Sequence, residues 1–166
     1  TTTYKVHLSS MWYPSKRHEL LAGLLKHEQN AKIKYDANLD SSLIRAIIVP
    51  HAGHSYSGDV AVSAYRQIKK KFFKKVVVLA PSHQDDFNGV ALPDKQFEYY
   101  NILGYIDLDR NCLHELSEHT GLFSYRSHAH AVEHSINVQL PFIQKFCGSN
   151  IKLVPLLIGN VSLQQV

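Results

Sequence analysis

The sequence predicts an α/β fold, a mostly parallel central sheet with helices on both faces, and three observations carry the prediction. Two near-continuous apolar runs rich in β-branched residues, Ile44–Val49 and Val76–Ala80, read as strands buried on both faces. Between them Val60, Ala61, Ala64, Tyr65 and Ile68 recur at three- and four-residue spacing, which predicts a helix from about Asp59 to Lys70. Each run ends in a loop that carries a histidine, Pro50-His51 after the first and Pro81-Ser82-His83 after the second. A right-handed crossover would make the two strands parallel neighbours roughly 4.8 Å apart. His51 and His83 would then emerge side by side at the carboxyl edge, where open α/β sheets place their ligands.

The remaining elements follow in order. Trp12 and Tyr13 precede a predicted helix from Ser15 to His27 whose stripe is Leu20, Leu21, Leu24 and Leu25. The two aromatics read either as a plug for the sheet or as the wall of a pocket. Gln29 to Ser42 is polar and loop-like. After the organising unit come a polar loop over Gln84–Gly89 and a short strand over Gly89–Pro93. Asp94–Asn101 shows no period, and Gly104–Leu108 alternates as a second short strand. A helix is expected from Asp109 to Thr120, stopped by Gly121. Phe123–Ala131 reads as a loop with His128 and His130 exposed, and Val132–Ile143 as a helix that Pro141 kinks. Ile151–Ile158 is a last strand, and its Pro155 argues for an edge position or a bulge. Nothing is predicted to cover that strand, although a doubly wound sheet needs further helices there. A truncated domain is the expectation.

Composition narrows the function classes. The 166 residues, 45% hydrophobic, suit a single domain spanning 1–166. The net charge of +4 is mild. Lys69, Lys70, Lys71, Lys74 and Lys75 cluster at a helix end, where cations suit the dipole, and no aromatic pattern accompanies them, so nucleic acid is disfavoured. Cys112 and Cys147 lack metal or redox spacing and suit a reducing, cytoplasmic setting. No apolar run approaches the ~20 residues of a membrane span, and no signal-peptide pattern stands at Thr1.

The eleven histidines are the unusual feature, and His51, His54, His83, His130 and His134 lie near the decisive turns. Two imidazoles at adjacent strand ends form half of a metal site, which wants a further acidic or thiolate ligand and open positions. His51 and His83 are the metal-ligand candidates, or else histidines bonded to the backbone of tight loops. Glu133 and His134 are the catalytic candidates. His134 could act as acid, base or substrate-binding group, and Glu133 could equally stabilise a helix start. Trp12, Tyr13, His54 and Ser82 are candidates for the substrate pocket, His54 reading first as a loop side chain. Gly53 and Gly58 read as turn formers, since no P-loop or GxGxxG spacing is present. Ser55, Ser57 and Ser82 lack a nucleophile elbow, which disfavours a serine hydrolase.

Pro50-His51-Ala52-Gly53, Tyr56-Ser57-Gly58, Pro81-Ser82-His83, Glu133-His134-Ser135 and Leu140-Pro141, in that order, resemble the Memo family. Trp12-Tyr13-Pro14 and Val154-Pro155-Leu156-Leu157-Ile158-Gly159 match its amino-terminal and mid-chain motifs, so the likeness runs from about Ser10 to Gly159. The resemblance implies a fold similar to the class III extradiol (LigB-type) dioxygenases, which are non-haem iron enzymes. By motif, His51 and His83 correspond to metal-ligand histidines, and Glu133 and His134 fall in the pocket motif. It implies iron or copper as cofactor and a redox role on a small-molecule substrate. The alternative it implies is a non-catalytic signalling module that takes a phosphotyrosine peptide in the same cleft. Metal-dependent hydrolysis is a weaker third reading, for want of a second metal cluster. Two departures stand out. His54 occupies a position where the family usually has tyrosine, and the family's third metal ligand, a cysteine, is expected outside this chain.

Overall fold

The computed structural model describes residues 10–162 apart from 37, 39, 41, 42, 69–71, 120 and 149. Lys69, Lys70 and Lys71 of the lysine cluster, Ser42 at the close of the predicted loop and Thr120 at the predicted helix end lie outside the described residues. The chain is mixed α/β, and its central sheet is mostly parallel. Six strands are described: β1 Lys75–Pro81, β2 Val90–Leu92, β3 Tyr99–Asn101, β4 Gly104–Ile106, β5 Phe123–Tyr125 and β6 Lys152–Ile158. Four of them make one sheet in the order β1-β6-β2-β5, and β3 and β4 form a separate hairpin. β1 pairs β6 in parallel and β2 pairs β5 in parallel, while the junction of β2 with β6 is antiparallel.

The first organising strand is not formed. Residues 44–49 form no ladder with β1, and both line a cavity of about 620 Å³. β1 takes β6 as its partner instead, in register from Lys75–Lys152 to Pro81–Ile158. A parallel pair needs its backbones in hydrogen-bonding range, and seven paired positions with the buried β6 offer that where 44–49 does not.

Pro155 likewise departs from the expectation of an edge or bulge, because β6 is a central strand. In a parallel ladder the even residues of β6 face β1, so the missing N–H of Pro155 faces the other side. There the antiparallel contact ends at Leu157–Ala91, and the next bonds join Leu153 to Asp107 and Asp109. Pro155 sits in the gap between them and costs no ladder bond.

The helices are α1 Arg17–Asn30, α2 His54–Tyr65, α3 Arg110–Ser117, α4 Ser127–Val132 and α5 Leu140–Phe146. α1 buries Leu20 and Leu24 but leaves Leu21 and Leu25 largely exposed, so its apolar stripe is half the predicted width. α2 starts five residues before the predicted Asp59 and takes in Tyr56-Ser57-Gly58. Gly58 is therefore no turn former. A Cβ there would lie 2.6 Å from the His27 ring of α1, so glycine permits the two helices to approach. His27 Nδ1 meets Asp59 Oδ1 at 2.6 Å across the same contact. Asp109 caps α3 by accepting from the Cys112 N–H.

The single helix expected over Val132–Ile143 is broken into three pieces. α4 ends at Val132, Glu133 is extended at φ −92° and ψ 141°, and one 3₁₀ turn over Asn137–Gln139 leads into α5. Pro141 opens α5 instead of kinking a longer helix, in the first turn where its missing N–H has no intrahelical partner to lose. Phe142 packs against Tyr65 with centroids 5.5 Å apart, joining α5 to α2. Among the described residues no helix is long and apolar enough to cross a membrane.

Candidate metal centre

The site is assembled at the carboxyl end of β1 by a turn, where the apolar spacing predicts a helix. Glu133, with its side chain 2% exposed, turns its carboxylate back over its own following residues and accepts from the N–H of His134 at 2.8 Å and of Ser135 at 3.0 Å. It also accepts from the N–H of His83, just past β1, at 2.5 Å. Ser135 Oγ donates to the Pro81 carbonyl at 2.8 Å, so two bonds stitch the 133–135 turn to the strand end. Asn137 Nδ2 donates back to the Glu133 carbonyl and holds the turn from the other side.

His51 arrives separately. Gln139 Nε2 donates to the Pro50 carbonyl at 2.9 Å, and its own Oε1 accepts from the Tyr65 hydroxyl at 3.1 Å. That chain of bonds ties the loop before His51 to the helices. The result is the juxtaposition expected from the strand pair, reached without the strand pair: the rings of His51 and His83 lie 5.1 Å apart, and His134 stands 4.9 Å from His83 and 6.1 Å from His51. The ligating atoms of His83, Glu133 and His134 fall within 4.8 Å of one another. His83 Nδ1 meets Glu133 Oε1 at 3.1 Å and His134 Nδ1 meets the same oxygen at 2.9 Å.

Trp12 closes one side. Its ring stacks on His134 with centroids 3.8 Å apart and planes 17° from parallel. The His54 N–H donates to the Trp12 carbonyl at 2.8 Å, and a Cβ on Gly53 would come within 3.1 Å of the Met11 carbonyl oxygen. Glycine at 53 thus serves the close passage of the Trp12 backbone, with no positive φ involved. Tyr13 turns away from this group toward His54, 5.3 Å between ring centroids, and burial pushes its hydroxyl up to about 12. Ser82 holds its own loop, donating from Oγ to the Asp85 carbonyl.

Two histidines prove to be core residues. His54 is 3% exposed, donates from Nε2 to the Val138 carbonyl at 2.8 Å and packs on Phe142, so its side chain lies inside the fold. His130, expected to be exposed, is 1% exposed inside α4; His128 is exposed as expected. His130 Nε2 donates to the Ala91 carbonyl, which leaves Nδ1 to accept from the Tyr99 hydroxyl at 2.6 Å. Burial pulls both His54 and His130 down to about 4.

Burial and hydrogen bonding oppose each other in the electrostatics of the centre. Burial pushes the Glu133 carboxyl up, but the N–H groups of His83 and Ser135, the His83 ring and the His134 N–H together outweigh it, and the net shift is downward. Glu133 is ionised at neutral pH. Burial pulls His134 down, Glu133 pulls it back, and His83 and His51 add to the lowering, so this ring is neutral at pH 7. Ser135 and Gln139 received no role from the sequence. Their signal was the alternation of polar 135, 137 and 139 with apolar 136, 138 and 140, every one of them buried in the structure.

The family model described as "Memo-like protein" matches residues 5–165. The chain belongs to the Memo family. It is 35% identical over 153 residues to the protein memo-1 homolog of Caenorhabditis elegans, covering 90% of this chain and 41% of the relative. A MEMO1 family protein of Sulfurisphaera tokodaii is 38% identical over 112 residues, covering 67% of this chain and 39% of the relative. Another, of Thermoplasma volcanium, is 28% identical over 158 residues, covering 94% and 55%. The chain thus spans roughly half the length of the curated relatives it matches.

Proposed function

We propose that this chain forms the histidine-bearing part of a Memo-type metal centre, with iron or copper held by the imidazoles of His51 and His83. The observation that supports it most is the orientation of two rings. His83 and His134 both turn Nδ1 toward one buried carboxylate oxygen, at 3.1 and 2.9 Å. Their Nε2 atoms, and both ring nitrogens of His51, carry no protein hydrogen bond among the described residues. A carboxylate on the far nitrogen fixes the tautomer and strengthens the other nitrogen as a donor, as in many histidine metal sites. Imidazoles beside a carboxylate suit iron or copper better than calcium or magnesium.

Glu133, a catalytic candidate from sequence, acts in this reading through the rings it orients, and His134 is the proton-moving group. A neutral His134 accepts a proton at Nε2 from a hydroxyl of a small phenolic or otherwise reduced substrate. Trp12 excludes water from one face of that ring. The metal, when bound, supplies Lewis-acid and redox chemistry. Titration with ferrous and cupric ions tests the reading. One saturable site is expected, lost in His51→Ala and in His83→Ala, and about 10- to 100-fold weaker in Glu133→Gln. Undiminished binding in both histidine variants contradicts it.

A further inference from the structure

The histidine group leaves one buried titratable pair unused, Tyr99 of β3 and His130 of α4. The Tyr99 hydroxyl donates to His130 Nδ1 at 2.6 Å. The direction of that bond is fixed from the far side of the ring, because Nε2 donates to the Ala91 carbonyl of β2 and Nδ1 is left as the acceptor. Phe97 closes the space around the pair, its ring centroid 5.0 Å from that of Tyr99 and 5.7 Å from that of His130, both edge to face. Two apolar side chains would fill this volume with no polar group to desolvate. What the polar pair adds is a proton donor and a proton acceptor, already at transfer distance and shut away from water.

An electron does not leave a buried phenol alone, because the radical cation left behind is a desolvated charge and a far stronger acid than any imidazolium. The hydroxyl proton has a partner ready to take it in His130 Nδ1. We propose that Tyr99 and His130 form a redox-active pair, a reversible store for one oxidising equivalent. Tyr99 passes one electron to a strong one-electron oxidant, a metal complex or an inorganic radical, which is thereby reduced. The tyrosine O–H bond breaks and an N–H bond forms at His130 Nδ1, leaving a neutral phenoxyl radical beside an imidazolium. Return of an electron sends the proton back along the same bond. The positive charge made on His130 has a counter-charge in Glu133, three residues on and thus at most about 11 Å away between Cα atoms. That carboxylate favours the charged form of the His130 ring. It also meets His83 and His134, so the pair stands next to the histidine group. The proposal rests on the pair alone, whether or not those histidines take a metal.

Photo-oxidation of the chelator-treated protein by tris(bipyridine)ruthenium with persulfate, freeze-trapped at intervals for electron paramagnetic resonance, tests it. Exposed tyrosines such as Tyr56, Tyr100 and Tyr125 are oxidised too, but their radicals meet in solution and are lost by coupling. The walled-in Tyr99 radical should outlast them. It should also couple to one exchangeable proton, the one now on His130 Nδ1, and that coupling should vanish in deuterium oxide. Tyr99→Phe should lose the long-lived signal. His130→Gln keeps an acceptor for the hydroxyl, but an amide takes no proton, so it should lose the signal with Tyr99 still in place. The coupling in unaltered protein, and its change when histidine nitrogen is isotopically labelled, reads the pair even if a variant does not fold. Three results overturn the proposal: no tyrosyl radical that outlasts those of the exposed tyrosines; a long-lived radical that survives in folded Tyr99→Phe; and a long-lived radical with no coupling to a proton borne by histidine.

Discussion

Lys75–Pro81 and residues 44–49 are near twins in composition and opposites in structure. Both are β-branched apolar runs that lead into a proline and a histidine. The first is a strand locked to the buried β6 along its whole length. The second makes no ladder, and its Ile48 is almost fully exposed. Strand propensity describes a residue that fits a pleated, half-buried surface, and a surface needs a neighbour. The same contrast separates the two halves of the histidine group. His83 and His134 are pinned by Glu133, whereas His51 rests on the Gln139 bond to Pro50 one residue away.

The comparison breaks first at Glu133. Glu133→Ala strands three backbone N–H groups and should cost about 3–5 kcal/mol in urea unfolding. A loss under about 1 kcal/mol would remove the carboxylate from its central place. Next, Leu157→Ala in β6, where the side chain is 0% exposed, should cost about 2–5 kcal/mol. Ile48→Ala should stay within about 0.5 kcal/mol in this chain by the same assay, despite its larger share of strand-like neighbours in sequence. Equal costs at the two positions would mean that 44–49 is as well packed as β6.

Acid supplies a third test, confined to the core histidines. His54 and His130 titrate near 4 folded and near the ordinary histidine value of about 6.5 unfolded, so the unfolded chain binds two more protons between those pH values. Their stabilising contribution is complete above the unfolded value and is lost as pH falls toward 4. The expected slope is about 1.4 kcal/mol per pH unit for each histidine. His130→Gln should roughly halve it; an unchanged slope would show that His130 is not held neutral. Ser135→Ala should cost about 1 kcal/mol for the lost bond to Pro81, with His83 exchange and metal affinity more affected than global stability.

Much of the fold was legible because periodicity reports burial. α1, α3, β1, β2 and β6 fall close to where their patterns put them, and the central sheet is mostly parallel as expected, though with another partner for β1. The pairing was not legible. Nothing local in Ile44–Val49 or Val76–Ala80 says which neighbour completes a ladder, and β6, far along the chain, proved to be the partner of β1. The helix boundaries around Glu133 failed for a related reason. Its carboxylate competes for the N–H groups of His134 and Ser135 that a helix would otherwise use, so the chain turns where a pattern of apolar spacing continues. At the site, the sequence brought His51 and His83 together through a predicted strand pair that the structure does not form, and it offered Glu133 and His134 as their partners. It placed His54 and His130 wrongly because a buried histidine, satisfied by carbonyls and a tyrosine, leaves no mark in residue spacing.

The proposed binding of a metal by the histidine group is open to direct measurement. Elemental analysis on protein purified without chelator, with its intact mass measured alongside, tests that claim most directly. Near-stoichiometric iron or copper in protein of the expected mass is the predicted result. Metal-free protein of that mass, unchanged after incubation with ferrous or cupric ions, contradicts it.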